Sequence, residues 1–302
     1  MNDMEPANEE RKPAEVEKKR GRGHFLCEKV PLLVMVFGAV FLVLFYPLLG
    51  NIARGLLRLV VPSLNADIAD NLLIAASSVL FLWLFKRWFS PDYRGSFRLH
   101  VPMRDVIRWS IPLWIFLALC IVLEGVMKGF FFRLDFNIVS MSLYAGFFEE
   151  SIFRIFMVAI GMRYLSGEKR LKWTVLLSSV LFGLAHAGNM LAGAPVSTTI
   201  HQMLHCILFG IYMAALVLRT GSVLPSAILH SLYDMLAIGT TRGVIDGVMH
   251  DAPDMTSYIE MIFVLIPTYF GVKLIQNNKA GILALWDEKW SVTPVKKEEG
   301  VV

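Results

Sequence analysis

Residues 144–154 read YAGFFEESIFR, and they place two carboxylates and one guanidinium inside an otherwise apolar stretch. This stretch belongs to a run at 138–162 that is long enough to cross a hydrocarbon core about 30 Å thick. A charge at that depth costs about 3 kcal/mol unless it is paired or hydrated. The stretch therefore predicts a membrane helix that keeps its charges for a functional reason.

The rest of the chain has the composition of an integral membrane protein. Of its 302 residues, 56% are hydrophobic and 18% are charged, whereas soluble domains carry about a quarter charged residues. The mean hydropathy is +0.57. The net charge of +4 indicates orientation in a membrane, and no nucleic-acid partner is expected.

Apolar stretches predict an all-α, polytopic transmembrane helix bundle of about eight spans. They lie at 30–50, 69–86, 107–126, 138–162, 172–188, 197–218, 222–239 and 256–276. The fifth and seventh are short and polar, which is typical of helices enclosed by other helices. An amphipathic stretch at 51–63 is expected to lie along the membrane interface.

The distribution of basic residues predicts how the chain is oriented. With a cytoplasmic amino terminus, the inside connections hold most of the Lys and Arg residues, so both termini are expected to be cytoplasmic. Three regions follow: a disordered cytoplasmic tail (1–29), a transmembrane domain (30–276, motif core 138–239) and a cytoplasmic C-terminal tail (277–302). The expected location is a lipid bilayer, as a multi-pass protein, and the cell (inner) membrane if the source is prokaryotic.

The first motif is formed by the charges of the fourth predicted span. Glu150 and Arg154 are four residues apart, so they share a helix face and can form an ion pair. Glu149 is rotated about 100° from Glu150 and is free to face a cavity. A charge network that only holds helices together is the structural alternative.

Two further polar motifs interrupt the fifth and seventh spans. The fifth contains Phe182-Gly-Leu-Ala-His186, and the seventh contains His230-Ser-Leu-Tyr-Asp234. His230 and Asp234 share a helix face because they are four residues apart. A single histidine in an apolar helix is equally consistent with packing, but three polar motifs at middle depth are expected to converge on one solvated pocket.

Other polar residues receive structural interpretations. His201 and His205 have the spacing of a metal pair, but they lack the glutamate of an HExxH motif, which makes a metal site there a weak hypothesis. Glu124 and Glu260 are expected at the membrane interface. Cys120 and Cys206 are interpreted as small buried side chains.

The order of these motifs resembles the CPBP family, which comprises type II CAAX prenyl endopeptidases, bacteriocin-processing enzymes and Abi proteins. The resemblance rests on Glu-Glu-x-x-x-Arg, Phe-x-x-x-His and His-x-x-x-Asn/Asp, and covers roughly 138–239. Its residues here are Glu149, Glu150, Arg154, Phe182, His186, His230 and Asp234.

The resemblance implies an intramembrane endopeptidase and a role for each motif. Glu149 would act as general base with His186 on a water molecule, and Glu150 with Arg154 would form a supporting pair. His230 and Asp234 would stabilise the oxyanion, and Phe182 would contact the substrate. Asp234 stands where the prenyl endopeptidases have an asparagine. The difference matters for the oxyanion role, because an ionised aspartate repels an oxyanion.

The implied substrate is a membrane-associated peptide or protein, which can be lipidated. No cofactor is expected, although a divalent metal such as zinc, held by Glu149, His186 and His230, stays open as a variant of the same protease. A non-catalytic membrane protein is the alternative from another class: an immunity factor, a scaffold or a proton-coupled carrier.

Overall fold

Helices make up nearly all of the part of the chain that the structure describes. The structure is a computed structural model, and it describes residues 24–60, 83, 97–165, 169–241, 244–245 and 248–289. Its α-helices are α1 (His24–Lys29), α2 (Pro31–Val60), α3 (Met103–Lys128), α4 (Phe136–Glu150), α5 (Ala159–Tyr164), α6 (Arg170–Ala185), α7 (Val196–Thr220), α8 (Leu224–Thr240), α9 (Met255–Phe263), α10 (Leu265–Gln276) and α11 (Lys279–Lys289).

Three short elements complete the order of the chain. A π-helix (Ser151–Val158) joins α4 to α5, and a 3-10 helix (His186–Met190) follows α6. Two antiparallel strands, β1 (Val244–Ile245) and β2 (Val248–Met249), follow α8, with Val244 opposite Met249. Apart from this small hairpin, the predicted all-α class is confirmed for the described residues.

Four helical stretches are long and apolar enough to cross a membrane. They are Met103–Lys128, Arg170–Met190, Val196–Thr220 and Met255–Gln276, and they correspond to the spans predicted at 107–126, 172–188, 197–218 and 256–276. A shorter apolar helical stretch, Pro31–Phe45, lies within the first predicted span.

The other predicted spans have different outcomes. The span at 69–86 lies outside the described residues except for Trp83. The span at 138–162 is helical but is interrupted by the π-helix, and the one at 222–239 corresponds to α8, with 17 residues. The count of eight and the cytoplasmic placement of both termini stay predictions.

Both predicted tails contain helix where the structure describes them. Within 1–29, residues 24–29 form α1 with a buried Cys27, and residues 1–23 lie outside the described part. Within 277–302, α11 carries a buried Trp286 whose Nε1 donates to the carbonyl of Leu218 at 3.0 Å. Of the predicted amphipathic stretch, residues 51–60 continue α2 and 61–63 lie outside the described residues.

The helices that carry the motifs begin and end at residues suited to those positions. The Asp135 side chain caps α4 by accepting from the backbone N–H of Ile138 at 2.9 Å, and such a cap is worth about 1 kcal/mol. Gly221 ends α7 with a φ of +66°, a left-handed conformation that favours glycine. Pro225 lies in the first turn of α8, where its missing N–H costs no hydrogen bond.

Two glycines allow the motif helices to pack against their neighbours at backbone distance. A Cβ at Gly146 of α4 would lie 2.7 Å from the carbonyl oxygen of Ala227 in α8. A Cβ at Gly183 of α6 would lie 2.5 Å from the carbonyl oxygen of Met203 in α7. The absence of side chains at Gly146 and Gly183 therefore sets how closely α8 approaches α4 and how closely α7 approaches α6.

Candidate active site

The two carboxylates of the first motif lie at the end of α4 in different environments. The Glu150 side chain is fully buried, and its Oε2 lies 3.3 Å from Nε of the equally buried Arg154. The Glu149 side chain is 24% exposed. The predicted ion pair is therefore present, and the two adjacent carboxylates differ in exposure, as the helical rotation between neighbouring residues leads one to expect.

A π-helix begins at Ser151, directly after this carboxylate pair. Such segments, bonded from residue i to i+5, are rare and occur frequently at functional sites. Arg154 lies within the segment, and its Nη1 donates to Oγ of Ser178 in α6 at 3.0 Å. Oγ of Ser178 in turn donates to the carbonyl of Phe153 at 2.8 Å. The guanidinium is therefore held from two helices.

His230 of α8 lies among three carboxylates. Its Nδ1 lies 3.2 Å from Oε1 of Glu150. Its Nε2 lies 3.8 Å from Oε2 of Glu149 and 3.7 Å from Oδ2 of Asp234. Because an ionised carboxylate only accepts hydrogen bonds, Nδ1 of His230 donates to Glu150. The close packing of α4 on α8 thus brings the first and third motifs together.

His186 lies where α6 gives way to the 3-10 helix, and partners occupy both of its ring nitrogens. Nδ1 lies 3.0 Å from the carbonyl oxygen of Phe182, and Nε2 lies 3.6 Å from Sγ of Cys206 in α7. Cys206 is a small buried side chain, as predicted, but its contact with His186 was not predicted. The one signal for that contact is Gly183, three residues earlier, which permits close helix packing.

The ring of Phe182 connects all three motifs. It meets the rings of His186 and His230 edge-on, with centroids 5.3 and 5.7 Å apart. The Arg154 guanidinium lies over it, with Cζ 5.0 Å from the ring centroid. Phe182 is only 1% exposed, a burial typical of a packing residue. Its predicted contact with substrate stays a prediction.

The accessible part of the cluster is acidic. The side chains of Glu149 and Asp234 are 24% and 19% exposed, whereas those of His230 and Glu150 are 5% and 0% exposed. A water molecule or a peptide that reaches the cluster therefore meets Glu149 and Asp234 first.

The remaining polar residues that the sequence singled out have hydrogen-bond or ion-pair partners outside the seven motif residues. Nε2 of His201 is 3.0 Å from the carbonyl of Ser257, and Nε2 of His205 is 3.0 Å from the Tyr233 hydroxyl. Glu124 pairs with Lys128 at 2.8 Å, at the end of α3.

The sequence left open a metal ion held by Glu149, His186 and His230. Among the described residues, no three His, Cys, Asp or Glu side chains are arranged as ligands of one ion. The metal-dependent variant of the protease stays a separate hypothesis.

Comparison with known proteins gives one match. Residues 109–236 match the family described as Type II CAAX prenyl endopeptidase Rce1-like, and this segment contains all seven motif residues. No curated protein and no solved structure matches the chain at a significant level. With four apolar helices of spanning length, the match indicates a multi-pass membrane protein. Residues 109–236 are therefore similar to the Rce1-like type II CAAX prenyl endopeptidases, and this match supports the resemblance of the three motifs to the CPBP family.

Proposed function

We propose that this protein is an intramembrane endopeptidase of the glutamic type, which hydrolyses a peptide bond in a membrane-associated protein or peptide. The supporting observation is the convergence of Glu149, Glu150 and Asp234 on one imidazole, that of His230, within 3.2 to 3.8 Å. The family match supports a protease. The catalytic roles below are part of the proposal.

Glu149 is the general base in this proposal because it is the most exposed of the three carboxylates, at 24%, while Glu150 is paired with Arg154 and Asp234 is paired with His230. It takes a proton from a water molecule while the water oxygen attacks the carbonyl carbon of the substrate. Glu149 then gives that proton to the leaving nitrogen, the oxyanion re-forms the carbonyl and the C–N bond breaks. The products are a carboxylic acid and an amine, which exchange a proton to become a carboxylate and an ammonium, so atoms and charge balance.

His230 supplies the hydrogen bond to the oxyanion. With Nδ1 donating to Glu150, Nε2 carries a second proton only in the imidazolium form. That form pairs with the Asp234 carboxylate, 3.7 Å away, so Asp234 acts by orienting and balancing His230. Glu149 becomes neutral as the oxyanion forms, and the total charge of the cluster therefore stays constant through the attack.

Glu150 and Arg154 support the site without touching the reacting atoms. The buried ion pair keeps Glu150 ionised beside Nδ1 of His230, and the carboxylate orients the imidazole. Arg154 also lies over Phe182, whose ring packs between the two histidines. His186 shares the activation of water with Glu149, as the family resemblance implies.

The substrate class follows from the position of the site. A cluster carried by membrane helices accepts segments that enter from the lipid or from the membrane edge, and a low-dielectric surrounding strengthens its electrostatic interactions. CAAX-type carboxy-terminal peptides are one candidate class, suggested by the family match. Asp234, in place of the prenyl endopeptidases' asparagine, makes a lipidated CAAX protein a less favoured substrate than other membrane peptides.

The test is a comparison of protein termini in membranes that contain the unaltered chain or Glu149→Gln. New termini are expected only with the unaltered chain, and they identify the substrate and the cleavage site. Identical termini in both samples, with equal protein levels, contradict the proposal and leave the scaffold or carrier function. Purified protein that stays active in excess chelator contradicts the metal-dependent variant.

A further inference from the structure

The contact between Cys206 and His186 belongs to neither the family motifs nor the steps above. Sγ of Cys206 lies 3.6 Å from Nε2 of His186, and Cys206 is 9% exposed. The contact crosses the interface between α6 and α7. It is therefore a specific pairing made by the fold and not by neighbours on one helix.

The hydrogen-bond partners of His186 define its tautomer. Nδ1 lies 3.0 Å from the carbonyl oxygen of Phe182, and a carbonyl oxygen only accepts. Nδ1 therefore carries a proton, and in the neutral ring Nε2 is the unprotonated acceptor. The thiol of Cys206 is the donor to that nitrogen.

The geometry of the two helices explains why a residue as short as cysteine reaches His186. Gly183 lies one turn before His186, and a Cβ there would meet both the carbonyl of Met203 and Cγ1 of Ile207 at 2.5 Å. Cys206 lies between Met203 and Ile207 in sequence, the two residues of α7 that this Cβ would meet. Its side chain therefore fills the space beside the imidazole.

We propose that Cys206 is a positioning residue for His186: its thiol holds the imidazole so that Nδ1–H donates to the Phe182 carbonyl and Nε2 is an acceptor. The inference rests on the proposed function for its catalytic consequence. A thiol is a weak donor, so it orients the ring in the resting protein and yields Nε2 to a water molecule when substrate is bound. A residue with no donor at position 206 leaves that nitrogen without a defined partner.

Two substitutions separate the hydrogen bond from the volume of the side chain. Cys206→Val fills similar space without a donor, and Cys206→Ser keeps a donor. For Cys206→Val we expect kcat about tenfold lower with an unchanged KM, the size of one lost hydrogen bond, and for Cys206→Ser a value within about threefold of the unaltered chain. Cys120→Val in α3 is the matched control, with unchanged kcat.

Nuclear magnetic resonance of 15N-labelled imidazoles gives a readout that does not need proteolysis. It is measured in the Glu149→Gln background, and His186→Gln identifies the signal. The Nε2 resonance of His186 is expected to move when Cys206→Val is added and to move much less with Cys206→Ser. If the Cys206→Val protein does not insert into the membrane, Cys206→Ala takes its place, and the same shift of the Nε2 resonance is expected.

Three results overturn the positioning role: an unchanged Nε2 resonance in Cys206→Val, a kcat equal to that of Cys120→Val, or equal losses in Cys206→Val and Cys206→Ser. The last result would make Cys206 a packing residue only. Failure of the proposed function has a different signature, because the unaltered chain and Glu149→Gln then process substrate equally. The resonance measurement still decides the role of Cys206 in that case.

Discussion

Replacing Gly146 with alanine should separate the two helices that bring the carboxylates to His230. The added Cβ would lie 2.7 Å from both the carbonyl oxygen of Ala227 and the backbone nitrogen of Ser231, where ordinary contact begins at 3.4 Å. Both are backbone atoms, so no side-chain rotation relieves the overlap. The helices α4 and α8 must move apart by about 0.7 Å.

That movement acts directly on the catalytic geometry. The bond from Nδ1 of His230 to Oε1 of Glu150 is 3.2 Å long, and a lengthening of about 0.7 Å takes it beyond hydrogen-bond range. Overpacking of this kind costs about 1–3 kcal/mol of stability, partly offset by the higher helix propensity of alanine. Because misplacement by about 1 Å can cost about 100-fold in rate, we expect kcat at least about tenfold lower for Gly146→Ala.

The assay is the cleavage rate of a peptide derived from the identified substrate, with unfolding in detergent measured on the same preparations. The matched control is Gly55→Ala in α2, because a Cβ at Gly55 meets nothing within 4 Å. Gly55→Ala should keep both stability and rate. A folded Gly146→Ala chain that cleaves as fast as Gly55→Ala would refute the link between helix approach and catalysis.

Three further predictions follow from single contacts. Arg154→Leu leaves Glu150 buried without its guanidinium partner and should lower the free energy of unfolding by about 3–5 kcal/mol. The double variant, Glu150→Leu with Arg154→Leu, should lose less. An equal or larger loss in the double variant would contradict the ion-pair argument. Asp234→Asn should keep kcat within about tenfold, because an amide can donate to the oxyanion, whereas Asp234→Leu should lower it about 100-fold; the reverse order in steady-state kinetics would contradict the role of Asp234. Burial lowers the pKa of Lys289, in α11 outside the spans, from 10.5 to about 8. The unfolded chain therefore holds this proton to higher pH than the folded chain, and stability should rise as pH rises between about 8 and 10.5. Lys289→Met should remove that rise in thermal unfolding measured at both ends of the window, and an unchanged rise would contradict the burial argument.

Much of the fold could be predicted from where apolar residues run without interruption. Four apolar stretches are long enough to be identified as membrane spans from length and composition alone. In the structure they are Met103–Lys128, Arg170–Met190, Val196–Thr220 and Met255–Gln276. The π-helix, whose eight residues are all buried, could not be predicted, because no residue type or spacing in the sequence distinguishes it from an α-helix.

The candidate site was predictable within a helix and not between helices. The pairing of Glu150 with Arg154 follows from a four-residue spacing, and the structure contains it. The hydrogen bond from His230 to Glu150 spans 80 positions, so spacing carries no information about it. The structure places the Glu149 carboxylate 3.8 Å from Nε2 of His230, a contact that the sequence did not predict, and the shared role of Glu149 and His186 in activating water stays a prediction.

Cys206 and Phe182 also make contacts between helices that the sequence does not reveal. Cys206 was expected to be buried, which is correct, but its partner His186 lies on another helix. The ring of Phe182 contacts Arg154, His186 and His230, contacts that the sequence did not predict, and its expected contact with substrate stays a prediction. A motif identifies a residue of the site. Only the packing around that residue shows whether it supports other side chains or is accessible to substrate.

The most direct measurement is peptide cleavage by purified protein in four forms: the unaltered chain, Glu149→Gln, His230→Gln and Glu124→Gln. Glu124 is the control, since it is an acidic residue of a membrane helix whose partner is Lys128. Cleavage should persist in the unaltered chain and in Glu124→Gln, and should fall by about 100-fold or more in Glu149→Gln and His230→Gln. Cleavage at full rate by folded Glu149→Gln and His230→Gln would show that the convergence of acidic and imidazole groups is not a catalytic centre.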